Sequence, residues 1–234
     1  MRQALMTGFT AGETASCYRI GHIEEDLSRA ISQGKKLIVG HIDFGHLSDV
    51  ALPDDYQLLV MFRRPVDRVI STYLHFQKHD NPRYTTWKEG QVDFDAFLET
   101  EFAHNWLCQL LAGSKGLMAS ADEKEAVFSA AENNLKKLSW VGISERFEDS
   151  LFSLSVFVGR RLKYPGRFNV NHEPDQHQAL KEKYERQLLV QNELDIRIHQ
   201  QAERRLHDQL NQIRFRRIRR AWFNWTSGVN NVSA

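Results

Sequence analysis

Cysteine is scarce in this chain: Cys17 and Cys108 are the only two, and they stand far apart. That excludes a disulfide framework, fits no metal-ligand spacing, and points towards a reducing compartment. Long apolar runs are missing as well. None approaches the ~20 residues that a membrane-spanning helix needs, and the opening M-R-Q-A-L-M-T-G-F lacks the apolar core of a signal peptide. The expected location is therefore cytoplasmic. No internal repeat, low-complexity tract or G-x-x-x-x-G-K-S/T occurs, which sets a kinase-like P-loop enzyme aside. Excess charge of one sign is also lacking, since the net charge is +1. The local balance differs: residues 203–225 hold seven arginines against two acids, +5, leaving about −4 for the remainder.

What is present is ordinary for a soluble globular chain. At 234 residues, 41% apolar and 26% charged, it can bury a sizeable core as one domain, or one domain with an appendage. Its most informative stretch is Y-Q-L-L-V-M-F-R-R-P-V-D-R-V-I-S-T-Y-L-H, residues 56–75. The apolar run 58–62 has the length of a buried parallel strand. Pro65 then stands where the first turn of a helix tolerates a missing N–H. Val66, Val69, Ile70 and Tyr73 follow at helical spacing. Strand, tight turn and helix place free N–H groups and the positive dipole end beside Arg63 and Arg64, with Ser71 two turns in. A phosphate site is one reading. The other is that the arginines are solvated or paired with Asp54, Asp55 and Asp67.

Further strands are expected at 36–40 and 139–143, and helices at 23–31, 94–102, 106–111, 123–138 and 144–158. One long helix is expected over 176–207. A polar residue directly after a parallel strand lies at the carboxyl edge of the sheet, where open α/β sheets bind ligands. His41 holds that position after K-L-I-V-G. An imidazole of near-neutral pKa suits removal of a hydroxyl proton; the alternative is a structural histidine bonded at a strand end. His46 is a second candidate base, and Asp43 either orients an imidazole or is a solvated loop residue.

R-R-P-V-D-R-V-I-S-T-Y resembles the R-D-P-V-E-R-x-x-S-x-Y signature of carbohydrate sulfotransferases, the group containing the heparan sulfate and uronyl 2-O-sulfotransferases. Arg64 stands where that signature has aspartate. The resemblance implies that Arg63 and Ser71 hold the 3′-phosphate of the sulfate donor 3′-phosphoadenosine 5′-phosphosulfate, PAPS. G-H-I-D-F-G is similar to the family's G-H-x-x-F/Y region and implies a general-base role for His41. A-H-N-W-L-C-Q-L-L-A-G, V-G-I-S-E-R-F-E-D-S-L and N-E-L-D-I-R-I-H-Q-Q-A resemble three further family segments, so the likeness runs over about residues 2–210. Within them Asn105 and Gln109 are read as packing first, and Glu145 with Arg146 as a structural ion pair. In the loop 160–174, Arg167 and Asn171 are the implied contacts to the donor's adenosine part, against the alternative of a plain surface loop.

The implied fold is α/β, a P-loop-type three-layer arrangement around a parallel sheet with a helical C-terminal part, spanning 1–210. The implied activity is sulfuryl transfer to a carbohydrate hydroxyl, with no metal. One family element is missing: the strand and P-K-T-G/A-G-T loop that wraps the 5′-phosphosulfate. T-G-F-T-A-G-E-T has no lysine and reads as a helix end and turn. The chain as it stands is then a weak catalyst. A non-catalytic nucleotide- or polyanion-binding protein is the alternative. Residues 211–234 form a basic aromatic tail, and 214–225 could meet an acidic membrane face, nucleic acid or a polyanionic substrate, or pack as a solvated arginine face. One expectation is checkable in the gene: in-frame codons upstream of Met1 encode a strand and a P-K-T-type loop, and a stop codon immediately before Met1 would refute it.

Overall fold

The computed structural model describes residues 2–19, 21–78, 93–114, 118, 120–164 and 174–227. In chain order these form α1 (Arg2–Met6), β1 (Thr14–Cys17), α2 (Ile23–Ser32), β2 (Leu37–Gly40), α3 (Phe44–Ser48), β3 (Leu59–Phe62), α4 (Pro65–Lys78), α5 (Phe94–Leu98) and α6 (Trp106–Ala112). Then come α7 (Ala121–Lys137), β4 (Trp140–Ile143), α8 (Phe147–Phe157), α9 (Pro174–Gln191), α10 (Glu193–Gln212) and α11 (Arg216–Ser227). The chain is a mixed helix-and-strand protein with small parallel sheets. It divides into two compact units: Met1–Phe62 with Asn134–Phe168 and Gln201–Ala234, and Arg63–Asn133 with Asn169–Gln200. Among the described residues no helix is long and apolar enough to cross a membrane.

The first unit holds both sheets. β1 pairs parallel with β2, and β3 parallel with β4, as two separate two-stranded sheets among the described residues. The single sheet expected from the three apolar runs is therefore not what forms. β2 takes β1 as its partner, a strand of T-A-S-C that no hydrophobic run announces. The join between them is α2, buried through Ile23, Leu27 and Ala30. It ends as a Schellman motif, with Gly34 at φ +64 and N–H groups of Gly34 and Lys35 donating to Ile31 and Ala30. Pairing is close enough at the far end that a Cβ on Gly40 would lie 2.1 Å from the Cys17 carbonyl oxygen.

The outer edge of β4 is closed by side chains. The Gln209 amide donates to the Val141 carbonyl at 2.9 Å and accepts from its N–H at 3.0 Å. Two residues on, the buried Ser150 hydroxyl accepts from Ile143 N–H at 2.8 Å and donates to its carbonyl at 3.0 Å. Those two side chains stand in for a neighbouring strand, satisfying groups that an exposed edge would offer to another chain.

The second unit is helical. Val66, Val69, Ile70, Tyr73 and Leu74 of α4 pack with Phe94, Phe97 and Leu98 of α5 and with Tyr184 and Leu188 of α9. The long helix expected over 176–207 is interrupted at Asn192, which is fully buried. Its amide donates to the Ala103 and Leu188 carbonyls, at 2.8 and 3.0 Å, and accepts from Asn105 N–H at 3.1 Å.

Cutting back the side chain that closes β4 tests this account of the edge. Gln209→Ala leaves a part-buried N–H and carbonyl unpaired, an expected loss of about 3 kcal/mol. Equilibrium denaturation in urea measures it, with exposed Arg204→Ala as a control expected to stay within about 0.5 kcal/mol of the parent.

Candidate functional site

The head of α4, in the second unit, is built as the sequence predicts. Arg64 supplies the carbonyl that accepts the first helical bond, from Arg68 N–H at 2.8 Å, so Pro65 occupies the first helical position. Apolar residues on one face fix the helix against its neighbours, and this leaves Asp67, Ser71 and His75 as a stripe at four-residue spacing on the other side. Arg68 turns inward. Its guanidinium donates to the Phe102 carbonyl at 2.9 Å and to Asn192 Oδ1 at 3.3 Å, and its Nε lies 3.9 Å from the fully buried carboxylate of Asp195.

Arg63 behaves differently. It is exposed and makes no hydrogen bond or ion pair among the described residues. Asp67, the acid nearest in sequence after it, is engaged elsewhere: Lys181 Nζ is 3.1 Å from its carboxylate, and His177 Nε2 is 3.9 Å away. The imidazole of His177 is held below its ordinary pKa, chiefly by burial, with the Arg63 and Lys181 charges acting in the same sense and Asp67 against them. Arg63 is therefore close enough to be felt at His177, and Ser71 lies one turn beyond the Asp67 that His177 faces. Ser71 is half-buried, and its hydroxyl has no partner among the described residues. Arg63 thus stands two residues ahead of a 14-residue helix whose start suits an anion, and Ser71, two turns in, carries a hydroxyl without a partner among the described residues.

His177 and Lys181 were not found by sequence reasoning. Their four-residue spacing in P-D-Q-H-Q-A-L-K marks one face of α9, but nothing local says that this face meets α4. Arg167 and Asn171 lie outside the described residues.

The other predicted residue belongs to the first unit. His41 follows β2 directly, and its N–H donates to the Cys17 carbonyl at 3.2 Å, extending the parallel ladder by one residue. Its ring meets Tyr18 edge-on, with centroids 5.0 Å apart. Although the residue is exposed, desolvation of the ring draws its pKa below 6.5. A neutral imidazole at physiological pH can accept a proton.

His46 and Asp43 have a structural role instead. Asp43 is buried, not solvated, and it caps α3 by accepting from His46 N–H at 2.9 Å. In return His46 Nδ1 lies 2.6 Å from the Asp43 carboxylate, so this aspartate orients His46 and not His41. Asn105 and Gln109 are packing residues: Asn105, in left-handed backbone at φ 46, accepts from Leu194 and Asp195 N–H, and Gln109 donates to the His104 carbonyl. Arg146 pairs with Asp149 at 2.8 Å. Cys17 and Cys108 are both free and buried. Among the described residues no group of three or more His, Cys, Asp or Glu could hold a metal. No protein-family model, curated protein or solved structure matches the chain.

The state of His41 gives a titration test. Between its lowered folded pKa and 6.5 the unfolded chain binds more protons than the folded one. Stability therefore rises with pH through that window, and the penalty is complete below the folded value. The His41 ring resonance in NMR is expected to titrate below 6.5, moving back towards it in Tyr18→Ala; a midpoint at or above 6.5 in the parent would contradict the desolvation.

Proposed function

We propose that the chain is a PAPS-dependent sulfotransferase acting on a carbohydrate hydroxyl, with the 3′-phosphate of the donor seated at the head of α4. The observation that carries this reading is Arg63: an exposed guanidinium, without a partner among the described residues, two residues ahead of a 14-residue helix. The residues fit a phosphate. Arg63 supplies a planar donor for two oxygens, Ser71 a hydroxyl, and the N–H groups of Val66 and Asp67 in the first turn of α4 further donors. Asp67 does not oppose this strongly, because Lys181 already neutralises it.

Bound there, the donor supplies an activated sulfuryl group. The chain's contribution is to hold the nucleotide end and to accept a proton. In the transfer the sulfur–oxygen bond to the donor phosphate breaks, a bond to the acceptor oxygen forms, and the acceptor's proton goes to a base. His41 is the base this reading assigns, and desolvation of its ring, which lowers its pKa, favours the neutral form that can take a proton. The same reading takes the two parallel pairs as parts of a P-loop-type three-layer fold, and places the protein in the cytoplasm.

Calorimetry with 3′-phosphoadenosine 5′-phosphate tests the phosphate seat apart from catalysis. Binding is expected, weakened roughly 10- to 100-fold in Arg63→Ala, as for loss of a charge-assisted hydrogen bond, and less in Ser71→Ala. Adenosine 5′-phosphate, which lacks the 3′ group, should bind both variants like the parent. Failure to bind, or indifference to Arg63→Ala, overturns the reading. His41→Ala should leave nucleotide affinity unchanged while lowering transfer to a carbohydrate acceptor by about 10²- to 10⁴-fold. Nucleotide binding without transfer in the parent would instead mark a non-catalytic nucleotide-binding protein.

A further inference from the structure

α11 buries one face and leaves the opposite one in water. Phe223 is 2% exposed and stands 5.5 Å from the Phe152 ring of α8. Arg220, on the same side, donates to the Glu148 carbonyl at 3.2 Å and to Asp149 at 3.1 Å, with its guanidinium 5.1 Å from the Phe152 ring. The C-terminal turn is tied down by Tyr164 N–H donating to the Ser227 carbonyl at 3.0 Å and by Arg161 donating to Thr226. The rotation of the helix about its own axis is thereby set.

Opposite that buried face lie Ile218, Ala221 and Trp222, spaced by three and four residues and hence a single stripe. Ile218 is 71% and Trp222 56% exposed, and Phe215, at the helix entry, is 67% exposed. Arg217 and Arg219 flank the stripe, roughly a quarter turn to either side by helical geometry. Both are exposed and have no side-chain partner among the described residues. Arg214 lies against the Phe215 ring at 5.5 Å, and α11 contains no acid.

We propose that this face docks on an anionic lipid surface, with Phe215, Ile218 and Trp222 set into the headgroup boundary and Arg214, Arg217 and Arg219 on lipid phosphates and carboxylates. The arrangement is that of a helix lying in the plane of an interface, with an apolar strip sunk and cations along both rims. A second copy of the chain is disfavoured as the occupant, because two such faces would bring arginines against arginines. Nucleic acid is disfavoured because a phosphate backbone following one arginine rim would leave the other rim unused and Ile218 and Trp222 in water.

Flotation of the full chain with vesicles of phosphatidylcholine, alone or mixed with phosphatidylserine, tests this. The expected result is partitioning onto the mixed vesicles roughly tenfold or more above the neutral ones, falling as salt is raised. Arg217→Gln with Arg219→Gln should weaken it about 25-fold, at about fivefold per arginine. Ile218→Ser with Trp222→Ser should abolish it. All four side chains are exposed, so circular dichroism and urea denaturation are expected to match the parent. Equal partitioning onto both vesicle types, indifference to both double variants, or binding to a DNA duplex without binding to vesicles would each overturn the proposal.

Discussion

A buried charge sets the terms for the second unit. Asp195 has no exposed surface, and burial pushes its carboxyl pKa up against the opposing pull of Arg68 and two backbone donors. Those donors are the Leu107 and Cys108 N–H groups at the start of α6, at 3.1 and 2.7 Å. Removing a charge from water is costly unless hydrogen bonds and an opposite charge meet it. Here they come from two places in the chain, α4 through Arg68 and the first turn of α6, and Asn192 in turn accepts from Arg68 and from Asn105 N–H. Each partner is tolerable in the interior only because the others are present. The outcome for function lies one turn away. With Arg68 held inside, the start of α4 is fixed in place, with Arg63 and Arg64 exposed ahead of it.

Satisfying backbone groups explains the sheets in the same terms. Parallel pairing leaves alternate N–H and carbonyl groups of β4 facing outward, and Gln209 and Ser150 take both pairs. Neither residue is remarkable in composition, yet together they stop the sheet at that edge. At β2 the constraint is steric, since only glycine fits at position 40 against the Cys17 carbonyl. His41 inherits its position from that close approach.

The elements legible in the sequence are those with a local physical signature. The runs at 36–40, 58–62 and 139–143 read as buried strands because each is short, apolar and bounded by turn residues, and Pro65 marks the start of α4 within a residue. β1 was not legible, because T-A-S-C owes its strand state to a partner 23 residues further on and not to its own hydrophobicity. The interruption at Asn192 was hidden by an apolar stripe that continues through it. α3 was hidden because its cap uses His46 where a glutamate or glutamine is the usual signal. Among the candidate residues, Arg63 and Ser71 in the second unit and His41 in the first could each be nominated from spacing and residue type. His177 and Lys181 could not, since their role depends on α9 packing against α4, a contact between segments more than a hundred residues apart.

The functional account rests on what the head of α4 does with its exposed cation. A crystal structure of the chain grown with 3′-phosphoadenosine 5′-phosphate examines that most directly. The account predicts the 3′-phosphate oxygens within about 3 Å of both the Arg63 guanidinium and the Ser71 hydroxyl. A nucleotide bound away from α4, with Arg63 and Ser71 still in water, would contradict it.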